Sequence, residues 1–376
     1  MSRILLIVVN DPRYFLSHRL PIAKAAQGKG YEVHVASIAS PLSGKIVEEG
    51  FIYHTIKLER GGINPFLEFF AMISCVRLLW RLRPTLLHLV TTKPVLYGGM
   101  AARLAPVGGV VFAIAGMGSV FIGRDLRSKV LSFVLRRMYR LALGTHNLRA
   151  IFQNPCDRAL VMKMSGLDAD KAVLIRGSGV HLASYPVSPE PIGTITVTFA
   201  GRFLRDKGVH EFIKAAQLVK RRQNEVIFQL VGDVDEGNPT SLSSAEVEAL
   251  TAEGNVRVLG YQNDLAKTFS RSHIVVLPSY REGLPKVLIE AAACARPVVT
   301  SDVPGCRDAI IAGETGLLVP VKDAEALAIA IEKLVSNAEL RHEMGRAGRK
   351  WAEREFAIEN VVKVHLDVYQ TLEAES

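Results

Sequence analysis

The stretch IVVLPSYREGLPKVLIEAAA, residues 274–293, contains the features that decide the fold. It opens with a continuous apolar run at 274–278, turns through Gly283 and Pro285, and continues as an apolar helical segment over 286–294. A short, continuous apolar run is typical of a strand that is buried on both faces of a parallel sheet. Strand, loop and helix in this order predict one βα unit of an α/β domain.

The same alternation of short apolar runs and helical segments repeats along all 376 residues. In the first half we predict strands at residues 4–9, 33–37, 53–58, 86–90, 110–115, 150–153 and 172–175. In the second half we predict strands at residues 196–200, 226–231, 256–259, 274–278, 297–300 and 316–319. Because helices separate these strands, each half is predicted to be a doubly wound, Rossmann-like α/β domain. The length of the chain suits two such domains.

A proline-rich segment marks the boundary between the halves. Residues 181–193, HLASYPVSPEPIG, hold three prolines and no apolar periodicity, which is typical of an interdomain linker. The predicted domains are therefore residues 1–180 and residues 194–356, with a C-terminal helix at 357–376 joining the first domain. We expect the two domains to face each other across a cleft, with ligands at the carboxyl ends of the strands.

Composition excludes several classes of protein. Apolar residues make up 49% of the chain and charged residues 22%, which excludes a mainly disordered protein. The four cysteines are far apart and match neither a disulfide framework nor a zinc site, so we expect a reducing compartment and no metal. The most apolar stretch, residues 66–82, is interrupted by charges, which argues against a membrane span. These observations predict a cytoplasmic protein that is not integral to the membrane.

Charge is unevenly distributed along the chain. Residues 1–180 contain 24 Lys and Arg against 10 Asp and Glu, a net charge of +14, whereas the remaining residues contain 22 against 27, a net charge of −5. This asymmetry predicts an acidic partner for the first half. Few aromatic residues lie between the charges, so we disfavour a nucleic acid and expect an anionic membrane surface.

The most basic segment is RDLRSKVLSFVLRRMYR, residues 124–140. Apolar residues at helical spacing form one stripe, and basic residues surround it: Arg127, Lys129, Arg136, Arg137 and Arg140. A basic amphipathic helix of this kind can lie in a membrane interface. Alternatively, the helix packs its stripe on a sheet and is an ordinary surface helix. A second basic and apolar patch, VRLLWRLR at 76–83, favours the membrane interpretation.

Two motifs in the second half carry the candidate chemistry. In GRFLRDKG, residues 201–208, a glycine follows a predicted strand, and Arg202 and Lys207 place two cations on the same loop. Such a loop can bind a diphosphate, because Arg binds as a planar fork and Lys as a point charge. The alternative is an exposed loop with solvated charges.

The second motif lies in the opening stretch. Glu282 is predicted in a loop at the carboxyl end of a buried strand, and Glu290 lies about one turn into the following helix. The free N–H groups at the start of that helix can face an anion, and carboxylates can accept hydrogen bonds from sugar hydroxyls. Because the neighbours of Glu290 are all apolar, its charge needs a partner.

These two motifs, in this order, resemble the retaining family 4 glycosyltransferases (glycosyl transferase group 1), which have the GT-B fold. Further similarity covers nearly the whole chain, at residues 8–33, 115–121, 151–157, 177–181 and 313–320. The resemblance is nearest to bacterial enzymes that add N-acetylhexosamine from a UDP donor to an undecaprenyl-diphosphate-linked sugar. It implies a peripheral enzyme on the inner face of the cell membrane, in surface polysaccharide or glycoprotein synthesis. The UDP-sugar is then a substrate, and no cofactor or metal is implied.

The resemblance also implies roles for individual residues. It gives catalytic roles to Arg202, Lys207 and Glu282. The donor-binding residues that it implies are Gly201, Gly283, Leu284, Pro285 and Glu290. In the first domain it implies an acceptor-side set of Asn10, Ser17, His18, Gly116 and Gly118. We assign no general-base histidine.

Alternative interpretations remain open at this stage. A nucleotide-sugar epimerase of the same fold also cleaves the glycosyl–phosphate bond, and a non-catalytic nucleotide-sugar-binding regulator keeps the same cation loop. The sequence Asp233-Val234-Asp235 resembles an Asp-x-Asp metal motif, but its place after a predicted strand favours an ordinary turn. His88 lies within a predicted strand, which favours a core histidine over a ligand.

Overall fold

A computed structural model describes residues 3–58, 65–117, 126–222 and 225–376. The described residues form two compact units. The first contains the residues up to Ser178 together with Glu359–Ser376, and the second is Gly179–Ile358. The segment predicted as a linker, 181–193, packs on the second unit, where Glu190 Oε1 accepts a hydrogen bond from Arg341 Nη2 at 2.5 Å.

The first unit is built on a parallel sheet. Its strands are β1 (Arg3–Val8), β2 (Tyr31–Ser37), β3 (Ile52–Thr55), β4 (Leu86–Val90), β5 (Gly109–Ile114), β6 (Leu148–Phe152) and β7 (Ala172–Leu174). Its helices are α1 (Pro12–His18), α2 (Leu20–Gly28), α3 (Ser43–Glu48), α4 (Pro65–Leu82), α5 (Gly99–Ala102), α6 (Leu126–Ala142) and α7 (Pro155–Ser165). The strand order is β3-β2-β1-β4-β5-β6-β7.

The second unit has a parallel sheet of its own. Its strands are β8 (Thr196–Ala200), β9 (Ile227–Val231), β10 (Arg257–Gly260), β11 (Ile274–Leu277), β12 (Val298–Ser301) and β13 (Gly316–Val319). Its helices are α8 (Val209–Arg222), α9 (Ser244–Thr251), α10 (Leu265–Ser270), α11 (Lys286–Ala293), α12 (Ala324–Val335) and α13 (Ala338–Trp351). The strand order is β10-β9-β8-β11-β12-β13. The last helix of the chain, α14 (Ile358–Ala374), packs almost entirely within the first unit.

The prediction of two doubly wound α/β domains is confirmed. Each predicted strand is present. Runs such as β4, β8 and β11 are buried at every position, as is expected of strands that are covered on both faces. The largest difference is at β3, which ends at Thr55 rather than at residue 58. Thr55 pairs with Ser37, the last residue of β2, so the pairing stops where the partner strand stops.

In both sheets the strand order reverses at one point. The reversal lies between β1 and β4 in the first sheet and between β8 and β11 in the second. Crossover connections leave opposite sides of the sheet at such a point and open a crevice beyond the carboxyl ends of the strands. Both motifs of the second half follow these strands directly: residues 201–208 follow β8, and residues 279–285 follow β11.

A close backbone contact holds these two loops together. Gly208, just before α8, has φ +75°, and a Cβ atom there would lie 2.2 Å from the carbonyl oxygen of Pro278, at the end of β11. Only glycine combines this left-handed conformation with so short a distance to neighbouring backbone. The loop after β8 therefore lies directly against the end of β11.

We expect Gly208→Ala to lower the stability of the second unit by more than its backbone conformation alone explains. The matched control is Gly254→Ala in the same unit, where φ is +70° and no heavy atom lies within 4 Å of the added Cβ. The control should lose about 1–2 kcal/mol, the usual cost of a left-handed alanine. Gly208→Ala must in addition displace backbone. Urea unfolding followed by circular dichroism measures both, and equal losses would contradict the proposed contact.

Candidate active site

The loops after β8 and β11 meet at the point where the strand order of the second sheet reverses. The backbone N–H of Tyr280 donates to the carbonyl of Asp206 at 2.8 Å, which joins the two loops directly. Lys207 and Glu282, one from each loop, form an ion pair between Nζ and Oε1. Their side chains are only 18% and 12% exposed. Partial burial strengthens such a pair relative to one in open water.

A second ion pair holds Arg202. Its Nη1 donates to Asp235 Oδ2 at 2.5 Å, and its side chain stays 43% exposed. Asp233 of the same turn accepts a backbone hydrogen bond from Phe203 N at 2.8 Å. The segment Asp233-Val234-Asp235 is thus a turn after β9 that supports the loop after β8. No group of three His, Cys, Asp or Glu side chains that could bind a metal ion lies in the described parts of the chain.

The Glu282 loop is supported from behind by the segment that follows β12. The backbone N–H of Glu282 donates to Pro304 O at 3.3 Å. Gly305, with φ +83°, approaches so closely that a Cβ atom would lie 2.5 Å from the carbonyl oxygen of Glu282. Asp308 Oδ2 accepts from Gly305 N at 2.9 Å and stabilises this turn. Glu282 is therefore held by its backbone as well as by its side chain.

The donor-side residues predicted beside Glu282 lie at the start of α11. Gly283, Leu284 and Pro285 are buried, and Pro285 is the N-cap residue of the helix. Its side chain makes no capping hydrogen bond, so the first turn of α11 is not capped by a side chain. The positive end of the helix dipole lies at this first turn, next to the loop that carries Glu282.

Glu290 lies on the buried side of α11 and is 4% exposed. The hydroxyl of Tyr185 donates to its Oε1 at 2.7 Å, and Lys286 Nζ lies 3.3 Å from the same oxygen. Burial raises the pKa of Glu290, and the Lys286 charge and the Tyr185 hydrogen bond oppose this rise. Tyr185 belongs to the segment predicted as a linker, and nothing in the sequence indicates that it contacts this acid.

Tyr280 is a further residue that the sequence analysis missed. Its hydroxyl donates to Glu211 Oε1 at 2.7 Å, and Lys322 Nζ lies 4.8 Å from the centre of its ring. Burial, together with the neighbouring Glu211, raises the pKa of the Tyr280 hydroxyl. These contacts come from α8 and from the turn before α12, so they fix the start of the Glu282 loop from two further directions.

The acceptor-side residues predicted in the first unit follow strands of the first sheet. Asn10 comes just after β1, and Gly116, with φ +138°, comes just after β5. Ser17 and His18 end α1, where Ser17 Oγ lies 2.6 Å from His18 Nδ1 and the His18 ring stacks on Tyr14 with centroids 4.2 Å apart. Gly118 lies outside the described residues.

The basic helix α6 turns an apolar face outward. Val130, Phe133, Val134 and Leu141 are each 44–59% exposed. The guanidinium of Arg137 lies 5.3 Å from the Phe133 ring centre on the same face. Arg136 and Arg140 are exposed as well. Most of the predicted apolar stripe therefore does not pack on the sheet. The side chains of Arg127 and Lys129 lie outside the part that the structure describes.

Two other predictions concern the core and the membrane. His88 in β4 is fully buried, and its Nδ1 lies 2.6 Å from the hydroxyl of Tyr369 on α14, which confirms a core histidine. Within the described residues, none of the helices is both long enough and apolar enough to cross a bilayer.

Comparison with protein families gives matches in both units. The model for glycosyl transferases group 1 matches residues 186–351, and the model for glycosyl transferase 4-like proteins matches residues 3–154. Both motif loops of the second half lie inside the first of these ranges.

Two curated relatives match over most of their length. One is the N,N'-diacetylbacillosaminyl-diphospho-undecaprenol alpha-1,3-N-acetylgalactosaminyltransferase of Campylobacter jejuni, which is 29% identical over 87% of this chain and 90% of its own. The other is the capsular polysaccharide biosynthesis glycosyltransferase CapM of Staphylococcus aureus, 25% identical over 93% and 92%. Among solved structures, Anabaena HepE in complex with UDP superimposes with a TM-score of 0.79 over 99% of this chain and 100% of its own. At 17% identity this likeness shows the fold alone.

The raised pKa of Glu290 predicts a pH-dependent contribution to stability. An acid whose pKa is higher in the folded state binds more protons there than in the unfolded state. The free energy of unfolding therefore falls as the pH rises from the ordinary glutamate pKa of about 4.3 through the raised value. Glu290→Gln removes this proton uptake. As the pH rises through that range, we expect the wild type to lose stability relative to the variant. Urea unfolding at a series of pH values measures the free energy of unfolding of both proteins. A difference that does not vary with pH would contradict the raised pKa.

Proposed function

Because the chain is a GT-B enzyme that belongs to the group 1 glycosyltransferases, we propose that it moves an N-acetylhexosamine from a UDP-sugar to a polyprenyl-diphosphate-linked glycan, with retention of anomeric configuration. The product enters bacterial surface polysaccharide or glycoprotein synthesis. The name of the Campylobacter relative supports the sugar and acceptor class, and the UDP complex of HepE supports the donor nucleotide.

One observation carries the proposal: Lys207 and Glu282 meet at the switch point of the second sheet. Arg202 lies on the same loop as Lys207. A donor diphosphate is a flexible dianion, and it needs cations held in fixed positions. The loop that supplies both cations is joined to the Glu282 loop by a backbone hydrogen bond and by the close approach of Gly208 to Pro278. The backbone of the loop that carries the cations is therefore held in place before the donor binds.

The main chemical task is to stabilise the leaving UDP. The bond between the anomeric carbon and the phosphate oxygen breaks, and a bond forms from the same carbon to the acceptor oxygen. Arg202, Lys207 and the start of α11 receive the negative charge that grows on the diphosphate. We assign no protein nucleophile: the acceptor hydroxyl proton passes to the leaving phosphate oxygen. Glu282 and Glu290 accept hydrogen bonds from hydroxyls of the donor.

The acceptor side of the proposal rests on the first unit. We place the lipid-linked glycan near Asn10 and Gly116, which follow strands of the first sheet, and near Ser17 and His18 at the end of α1. The exposed apolar face of α6 and its arginines support contact with an anionic membrane surface. The enzyme would then work from the inner face of the cell membrane.

We expect Arg202→Ala and Lys207→Ala each to reduce sugar transfer about 10²–10³-fold, as is typical when one group that stabilises developing charge is removed. The assay mixes radiolabelled UDP-N-acetylhexosamines with a polyprenyl-diphosphate sugar and measures labelled lipid. Lys214→Ala is the matched control, because Lys214 is an exposed cation on α8 in the same unit. Near-wild-type turnover of both loop variants would refute the assignment.

The same assay separates the rival functions. An epimerase would convert the UDP-sugar without any acceptor. A non-catalytic regulator would bind the UDP-sugar and release no UDP. Labelled lipid that forms only when the acceptor is present supports the transferase, and either of the other results overturns it.

The membrane contact predicts salt-sensitive binding to anionic vesicles. Arg136→Gln, Arg137→Gln and Arg140→Gln combined should weaken sedimentation with phosphatidylglycerol liposomes, because each basic residue near an anionic surface contributes about 1 kcal/mol. Raising the salt should weaken the wild type in the same way.

The control for that variant removes the same number of positive charges from the second unit. Arg221→Gln, Arg271→Gln and Lys350→Gln combined remove three exposed cations from the second unit. Vesicle binding that persists in the α6 variant at the wild-type level, or that falls equally in the control, would show that α6 does not make the contact.

A further inference from the structure

A groove on the first unit is lined neither by residues of α6 nor by the predicted acceptor-side residues. It runs between the edge strand β3 and the helix α4 and has a volume of about 740 Å³. The strand side and the residues just after it contribute Tyr53, His54 and Lys57, and the helix contributes Phe70, Arg77 and others. Because β3 is the last strand of the sheet, no further strand covers this side of it.

The groove combines cations with apolar surface. Lys57, Arg77 and Arg81 line it and are exposed, and none of the described residues that line it is Asp or Glu. In the described part of the chain, no ion pair joins these three cations to a carboxylate. Two apolar side chains line the same groove: Phe70, which is 59% exposed, and Ile73. Among the described residues, the groove lining therefore has positive charge and apolar surface but no negative charge.

A chain of hydrogen bonds fixes one of these cations. Arg81 Nη2 lies 3.2 Å from His54 Nδ1, His54 Nε2 lies 2.8 Å from His34 Nδ1, and His34 Nε2 lies 2.8 Å from Glu32 Oε1. A guanidinium can only donate, so His54 Nδ1 must accept, and each imidazole then donates through Nε2 to the next group. Arg81 is thus linked through the rings of His54 and His34 to the carboxylate of Glu32, which does not line the groove.

The protonation of His54 agrees with this direction of donation. Burial lowers the pKa of His54 to about 4, and His34 and Arg81 act in the same direction. The ring therefore stays neutral near pH 7 and keeps an acceptor nitrogen for Arg81. The positive charge at this end of the groove belongs to the guanidinium alone.

We propose that this groove binds the headgroup of an anionic phospholipid of the bilayer, with the phosphate on Arg77 and Arg81 and the first acyl carbons over Phe70 and Ile73. A phosphate accepts paired hydrogen bonds from arginine. The apolar side chains of the groove can contact the acyl carbons of a lipid, but they make no favourable contact with a freely soluble anion. The outer faces of the same helix support the location, since Phe69 and Trp80 are 55% and 52% exposed. The site deepens the membrane part of the proposed function and is separate from α6.

The first test measures direct binding by calorimetry on the full chain. The probes are dihexanoyl phosphatidylglycerol below its micelle concentration, dihexanoyl phosphatidylcholine, and inorganic phosphate. We expect the phosphatidylglycerol to bind at least tenfold more tightly than either of the others. Equal binding of inorganic phosphate would make this a plain anion site, and equal binding of the choline lipid would make it an apolar one. Either result, or no binding at all, overturns the proposal.

The second test assigns the binding to the groove. Arg77→Gln with Arg81→Gln should weaken phosphatidylglycerol binding at least tenfold. The matched control, Lys29→Gln with Lys163→Gln, removes two exposed cations elsewhere in the first unit and should leave binding unchanged. Thermal unfolding verifies that both variants fold. Unchanged binding in the groove variant, or equal loss in the control, overturns the assignment.

The result is distinguishable from failure of the proposed function. Lipid binding and sugar transfer to a detergent-solubilised acceptor are measured separately on the wild-type protein. Phosphatidylglycerol binding without sugar transfer would leave the groove assigned and would refute the transferase. Sugar transfer without phosphatidylglycerol binding would refute the groove alone.

Discussion

The ion pair between Lys207 and Glu282 is the interaction on which the candidate active site depends. Each partner lies in a different loop, and the pair forms only because β8 and β11 are adjacent, although 73 residues lie between the end of β8 and the start of β11. In an open-sheet fold such neighbours meet where the strand order reverses. Around the pair, backbone contacts from Asp206 and Pro304 hold both loops, so its geometry is a consequence of the sheet.

The two acids of the motif experience different environments. Glu282 is partly buried in an ion pair with Lys207, whereas Glu290 is buried on α11 against Tyr185 and Lys286. Burial raises the pKa of Glu290, and the partners limit the rise. Carboxyl groups in unlike surroundings can take unlike roles.

The first unit carries two distinct positively charged surfaces. On α6, apolar side chains and arginines share one outward face, which suits contact with an extended interface. Between β3 and α4, the cations line a concave groove, which suits one headgroup rather than a plane. Both arise from the excess of basic residues in the first 180 positions, but only the folded chain separates them.

Local patterns in the sequence determined the strands, the two doubly wound domains and the two motif loops, because apolar periodicity and glycine placement act over a few residues. The same patterns predicted that His88 is buried. The tertiary structure alone decided that Tyr185 of the proline-rich segment reaches Glu290, that Tyr280 is held by Glu211 and Lys322, and that Asp235 holds Arg202. It also decided that α6 turns its apolar residues outward. These contacts join residues that are 33 to 105 positions apart, such as Arg202 with Asp235 and Tyr185 with Glu290. No local pattern encodes them, since they follow from which strands lie side by side.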